Sequence, residues 1–111
     1  MEPLHGVLDM IVLRTLLFGP LHGYAIAHVI RDGSSEALKI EFGSLYPALK
    51  RLELKGWIAA RWEKSEHNRR AKVYRLTPAG RKKLRQEKSE WATFVNAVAR
   101  IMKPAAGEID A

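Results

Sequence analysis

The chain has no cysteine, and that single absence removes both disulfide frameworks and thiolate chemistry. It also lacks an apolar run able to span a bilayer. Residues 7–18 come closest, but they are too short and Asp9 and Arg14 interrupt them. The start, Met1-Glu-Pro-Leu-His5, carries no basic region of the kind that opens a secretory signal. The expectation is a soluble, cytoplasmic protein without a membrane partner. Catalytic constellations are missing too: there is no His–carboxylate grouping, no Gly-rich phosphate loop, and no base near Ser44 in the sequence. His22 and His28 lie near one another but have no carboxylate or Cys at ligand spacing. Neither an enzyme, nor a metal site, nor a cofactor is expected.

What the chain does have is positive charge, unevenly placed. The net charge is +7 and the sequence pI is near 10.0. Residues 50–88 hold 14 Lys and Arg against 4 Glu, so this segment carries an excess of ten positive charges and the remainder is slightly acidic. A localised basic segment on a folded domain is the electrostatic footprint of nucleic-acid binding. A solvated basic surface would give the same count, so the order of elements has to decide. The length of 111 residues suits one domain with a modest core.

Residues 42–56, Phe-Gly-Ser-Leu-Tyr-Pro-Ala-Leu-Lys-Arg-Leu-Glu-Leu-Lys-Gly, read as a short helix with signals at both ends. Ser44 is the N-cap candidate, Pro47 falls in the first turn, and Gly56 is the exit residue. Leu45, Leu49 and Leu52 form one apolar stripe, while Lys50, Arg51 and Lys55 lie off it. Before this helix, residues 8–18 and 24–31 carry helical patterns, ended by Gly19-Pro20 and by Asp32-Gly-Ser-Ser35. The first of these has so few polar positions that burial on more than one side is expected, either as a central core helix or against a second subunit. Residues 36–41 read as a brief turn or strand. After Gly56 the period changes to 2: residues 57–63 and 72–76 alternate as two strands. Between them runs the basic loop 64–71, with Asn68, Arg69 and Arg70 at or near its tip. Three helices, a strand, a basic loop and a strand are the order of a winged helix-turn-helix.

Thr77 and Pro78 then mark the start of a helix that nothing breaks before Pro104. Leu84, Trp91, Val95, Val98 and Met102 fall on one seam of it, with Lys88 at the missing position. Such a helix either folds back on its own domain or pairs with a second copy, and pairing is the preferred reading. The expected interface is Leu84, Trp91, Val95, Val98 and Met102, closed by Leu8 and Ile11 of the first helix. The fold class is therefore mainly α with a two-stranded β-hairpin: a winged helix-turn-helix (1–77), a C-terminal dimerisation helix (78–103) and a flexible tail (104–111).

These segments resemble the PadR family of bacterial transcriptional regulators in its short form. The resemblance is carried by Leu21-His-Gly-Tyr24, Gly43-Ser-Leu-Tyr-Pro-Ala-Leu49, Arg51-Leu52, Gly56-Trp-Ile58, Asn68-Arg-Arg-Ala-Lys72, Tyr74-Arg-Leu-Thr77 and Ala79-Gly80, and it covers residues 4–102. It implies a homodimer, usually a repressor, that binds a pseudo-palindromic operator in double-stranded DNA. It also implies, for some members, release by a small aromatic effector stacked on a Trp of the last helix, here Trp91, with Phe94 and Val95 beside it. Packing of Trp91 in the dimer interface, with no ligand, is the competing reading.

The expected DNA contacts are Tyr24, Ser44, Tyr46, Pro47, Lys50, Arg51, Asn68, Arg69, Arg70 and Lys72, with recognition helix 44–55 in the major groove and wing 64–71 on the flanking DNA. Tyr24 and Tyr46 have packing roles as alternatives. A winged helix serving as a protein-interaction module without sequence-specific DNA binding is the rival function, since fold does not fix function.

Overall fold

The computed structural model describes residues 6–64 and 67–104. The elements in chain order are α1 (Val7–Thr15), β1 (Leu21–His22), α2 (Gly23–Gly33), α3 (Phe42–Leu54), β2 (Ile58–Lys64), β3 (Arg70–Leu76) and α4 (Pro78–Met102). The winged-helix order with a long last helix is the one expected. The sheet has one strand more than the hairpin: β1 pairs antiparallel with β3, giving the order β1-β3-β2. A two-residue strand is too short to show a period, so nothing in the sequence marked it.

The core is a single cluster under the three N-terminal helices. Val12, Leu13, Ile26, Leu45, Leu49 and Leu52 are fully buried, and Ile58, Tyr74 and Leu84 close it from the sheet and from α4. Each such leucine contributes roughly 1.5–3 kcal/mol by leaving water. The α1 helix is shorter than the apolar run that encodes it. Its last residue, Thr15, donates its hydroxyl to the Val12 carbonyl at 2.6 Å. The next amides, Leu16 and Leu17, reach only three residues back, to Leu13 and Arg14 at 3.2 Å. The helix thus tightens into turns before Gly19-Pro20. Residues 36–41, open between turn and strand in the sequence, contain no regular element; they start in a turn with Ser35 and Glu36 at φ 52° and 65°.

The α3 helix begins two residues before the expected cap. The N-cap is Glu41, without a side-chain bond, and Glu41 O accepts from both Ser44 and Leu45 at 3.0 Å. Ser44 is therefore inside the helix, and Pro47 stands in the second turn, where its missing N–H leaves the Gly43 carbonyl without its usual donor. The C-terminus behaves as the sequence implies. Gly56 has φ 76°, its N–H donates to Glu53 O at 3.0 Å, and Trp57 N donates to Leu52 O at 3.1 Å. This pair of bonds is the Schellman arrangement, which needs a left-handed residue at Gly56.

The root of α4 is fastened to the base of the hairpin. Thr77 Oγ1 accepts from Gly80 N at 3.0 Å and donates to Gly56 O at 2.7 Å, while Thr77 N donates to Trp57 O at 3.1 Å. Leu84 is 6% exposed and belongs to the chain's own core, which corrects its expected place in a dimer interface. Its position on the seam made it look like its neighbours, but the seam's first two turns lie on the body. Past Leu84 no described residue of α4 is fully buried, and the molecule measures 64 × 28 × 23 Å because this arm projects. The expected tail beyond Pro104 lies outside the described residues.

Candidate nucleic-acid interface

The α3 helix separates its residues cleanly. Leu45, Ala48, Leu49 and Leu52 face the core with no exposure, while Ser44, Tyr46, Pro47, Lys50 and Arg51 are exposed. Tyr46 is packed on one side and open on the other. Its ring stacks on Phe42 with centroids 5.6 Å apart and lies against Gly23, where a Cβ would come within 2.9 Å of it. The residue is nonetheless 47% exposed. Tyr24 is also exposed, and its ring lies between those of His22 (5.6 Å) and His28 (6.3 Å). Lys50 is exposed and makes no ion pair among the described residues.

Arg51 departs from the expected pattern. Its guanidinium is turned back to α1, where Asp9 accepts from Nη2 at 2.5 Å and from Nε at 3.3 Å. The hydrogen bond to Asp9 raises the Arg51 pKa, opposed by partial burial. A pair 42 residues apart in sequence leaves no local signal, and it draws Arg51 away from the open side. Lys72 is likewise engaged, with Nζ 3.1 Å from Glu53 Oε1.

The wing is the β2–β3 hairpin, in register from Ile58↔Leu76 out to Lys64↔Arg70. Asn68 turns its tip at φ 57°, a conformation Asn tolerates better than most residues. His67, Asn68, Arg69 and Arg70 are all exposed, and residues 65–66 of the expected wing lie outside the described ones. One face of the hairpin runs from buried Ile58 and Tyr74 outward to Trp62, which is 56% exposed. Trp62 falls in the alternating stretch 57–63, which marks it in the sequence only as a strand residue. Its cross-strand partner is Lys72, with Nζ 5.9 Å from the indole, and the Arg70 guanidinium carbon stands 5.0 Å from the ring centroid.

Helix and wing meet across one groove of about 600 Å³, bordered by Tyr46, Lys50, Glu53 and Leu54 of α3 and by Lys72 and Tyr74 of β3. At its edge, burial raises the Tyr74 hydroxyl pKa; nearby Lys72 acts in the opposite sense, and Glu53 and Tyr46 add to the rise. The exposed half of α3 and the basic hairpin therefore share a side of the molecule.

A second groove, of about 560 Å³, lies between α1, the end of α2 and α4. It is apolar, lined among others by Met10, Ile11, Phe18, Leu38 and Trp91. Trp91 and Phe94 are neighbours, with centroids 5.8 Å apart. Leu8 and Ile11 are half-buried against the core, whereas Val95, Val98 and Met102 are exposed at 41%, 39% and 71%. Among the described residues no three of His, Asp and Glu gather as metal ligands, and no helix is long and apolar enough to cross a membrane.

A three-helix body presenting one exposed helix face beside a basic antiparallel hairpin is a winged helix. Residues 12–86 match the transcriptional regulator PadR-like family, and the chain belongs to that family. It is similar to a transcriptional regulator from Clostridium thermocellum, with 32% identity, a TM-score of 0.83, and coverage of 93% of this chain and 100% of that one. It is similar also to Bacillus subtilis PadR in complex with operator DNA: 29% identity, TM-score 0.67, 72% of this chain and 45% of that one. An uncharacterized 37.1 kDa protein in a transposon of Streptomyces fradiae is 45% identical over 90 residues, which are 81% of this chain and only 24% of that protein.

Proposed function

We propose that this PadR-family regulator is a repressor that binds a two-fold symmetric operator as a homodimer. Each α3 enters a major groove, and each wing lies on the flanking backbone or in the minor groove. Ser44, Tyr46, Pro47 and Lys50 meet the DNA from α3, Tyr24 meets it from the start of α2, and Asn68, Arg69, Arg70 and Lys72 from the hairpin. Arg51 joins them only if it leaves Asp9. The observation that carries the reading is the shared groove, which sets Tyr46 and Lys50 opposite Lys72 on one side of the molecule. The operator complex of Bacillus subtilis PadR supports it by likeness.

The dimerisation element of this proposal is α4 beyond Leu84, through Trp91, Val95, Val98 and Met102, with Leu8 and Ile11 closing the contact. The exposed apolar seam supports this, because a second copy would bury it. The apolar groove with Trp91 on its wall would then hold a planar aromatic effector, with Phe94 and Val95 beside it, whose binding releases DNA. The test is selection of bound duplexes from random sequence at physiological salt. A two-fold symmetric motif with half-sites about one helical turn apart is the expected result. No enrichment of any sequence would overturn the proposal.

A further inference from the structure

Two kinds of partner hold cations on α3 and the wing. Arg51 is held by Asp9, Arg61 by Glu63 at 2.7 Å, and Lys72 by Glu53 at 3.1 Å. Each carboxylate fixes its partner but also offsets its charge and takes up some of its donors. Arg70 is held differently, with its guanidinium 5.0 Å from the Trp62 ring centroid. An aromatic face attracts a guanidinium through the ring quadrupole without neutralising it. An arginine held against a ring face gives up no donor to a carboxylate, so its N–H groups remain available.

Trp62 is also unusual in its exposure. It is a Trp with 56% of its surface open, on the outer half of a hairpin where Arg61, Lys64 and Arg70 are exposed as well. Core packing does not account for it. Its surroundings are Arg70 on the diagonal and Lys72 directly across the ladder. Both cations lie on the hairpin face that continues inward to Tyr74 and the α3 groove.

We infer that Trp62 is a positioning residue for DNA binding: its indole holds Arg70 toward the DNA while leaving the Arg70 charge and donors available to a phosphate. A free arginine would lose rotamer entropy on each encounter with DNA, and the contact with the ring removes part of that loss beforehand. The inference rests on the DNA-binding reading.

The test measures the affinity of the full chain for a labelled mixed-sequence duplex between about 50 and 200 mM salt. Trp62→Leu and Trp62→Gln, which remove the aromatic face, are each expected to weaken binding about two- to five-fold at fixed salt. Trp62→Phe, which keeps an aromatic face, should recover most of that loss. In an Arg70→Ala background the Trp62 substitutions should have no further effect. A merely structural Trp62 would give losses that add to those of Arg70→Ala and are not rescued by Phe. Either that additivity or full affinity of Trp62→Leu overturns the inference. A wild-type chain without salt-dependent affinity overturns the DNA-binding reading itself, and the inference with it; that failure is distinct because no variant is needed to see it.

Discussion

Replacing Gly80 with alanine adds one methyl group at the tightest joint of the molecule. The new Cβ would lie 1.8 Å from the Trp57 carbonyl oxygen and 2.9 Å from Leu76 Cδ1. A carbon–oxygen contact normally needs about 3.3 Å, so backbone must retreat by roughly 1.5 Å. The same carbonyl accepts from Thr77 N, and the Thr77 hydroxyl caps Gly80 N. Loss of the backbone bond costs about 1 kcal/mol, loss of the cap about 0.5–2, and the residual crowding about 1–3. The better helix propensity of alanine returns at most about 1 kcal/mol. The expected net destabilisation is about 2–4 kcal/mol, which lowers the melting temperature by at least ~8 °C in a domain of this size. Urea unfolding followed by circular dichroism measures it. Gly33→Ala is the control: nothing lies within 4 Å of its Cβ position at the end of α2, and a neutral or stabilising effect is expected. A Gly80→Ala protein within about 0.5 kcal/mol of wild type would refute the claim that α4 is rooted by backbone contact.

Four other outcomes are expected. Because the folded chain holds the Tyr74 proton more tightly than the ordinary pKa of 10.0, that contribution is complete below pH 10 and lost above it. Stability should therefore decline beyond pH 10 in wild type, and a Tyr74→Phe protein with an identical decline would exclude Tyr74 as its source. Asp9→Asn should lower stability by about 1 kcal/mol and release Arg51, steepening the salt dependence of DNA binding by up to ~1 slope unit; an unchanged slope keeps Arg51 off the DNA. Lys50→Ala should weaken binding to a selected site by about 1–3 kcal/mol if it reads a base, whereas an equal loss on random duplexes makes it a phosphate contact. Arg69→Ala combined with Arg70→Ala should flatten the salt slope by roughly one unit per lost phosphate contact, measured by titration at several salt concentrations.

Features encoded within a few residues were legible. The leucine stripe of α3, the exit at Gly56, the Thr77-Pro78 start of α4 and the alternation of the two hairpin strands each follow from local patterns, and the structure contains all of them; the strands run further than the alternation, pairing Lys64 with Arg70 inside the expected loop. Misreadings arose where two local signals compete or where partners are distant. Ser44 and Pro47 together resemble a helix start, yet Phe42 and Gly43 join the helix, where Phe42 stacks on Tyr46 one turn on. Leu84 shares a seam with Trp91 and Val95, and only the fold shows that the seam changes environment along its length. For the candidate interface, the exposed positions on α3 were legible from spacing. The ties of Arg51 to Asp9 and of Lys72 to Glu53 were not, because side chains 42 and 19 residues apart meet only after the chain folds.

The fastening of α4 at Thr77 and Gly80 makes that helix a lever. Its 25 residues span about 37 Å. A tilt of ~10° at the root would carry the far end through about 6 Å, close to two base-pair steps of DNA. A bulky neighbour at Gly80 or a looser cap at Thr77 therefore acts as an alignment error, magnified along the arm to where a second copy would meet it. In the proposed dimer, tolerance for the distance between half-sites would be set at this joint, several turns away from the side chains proposed to touch bases.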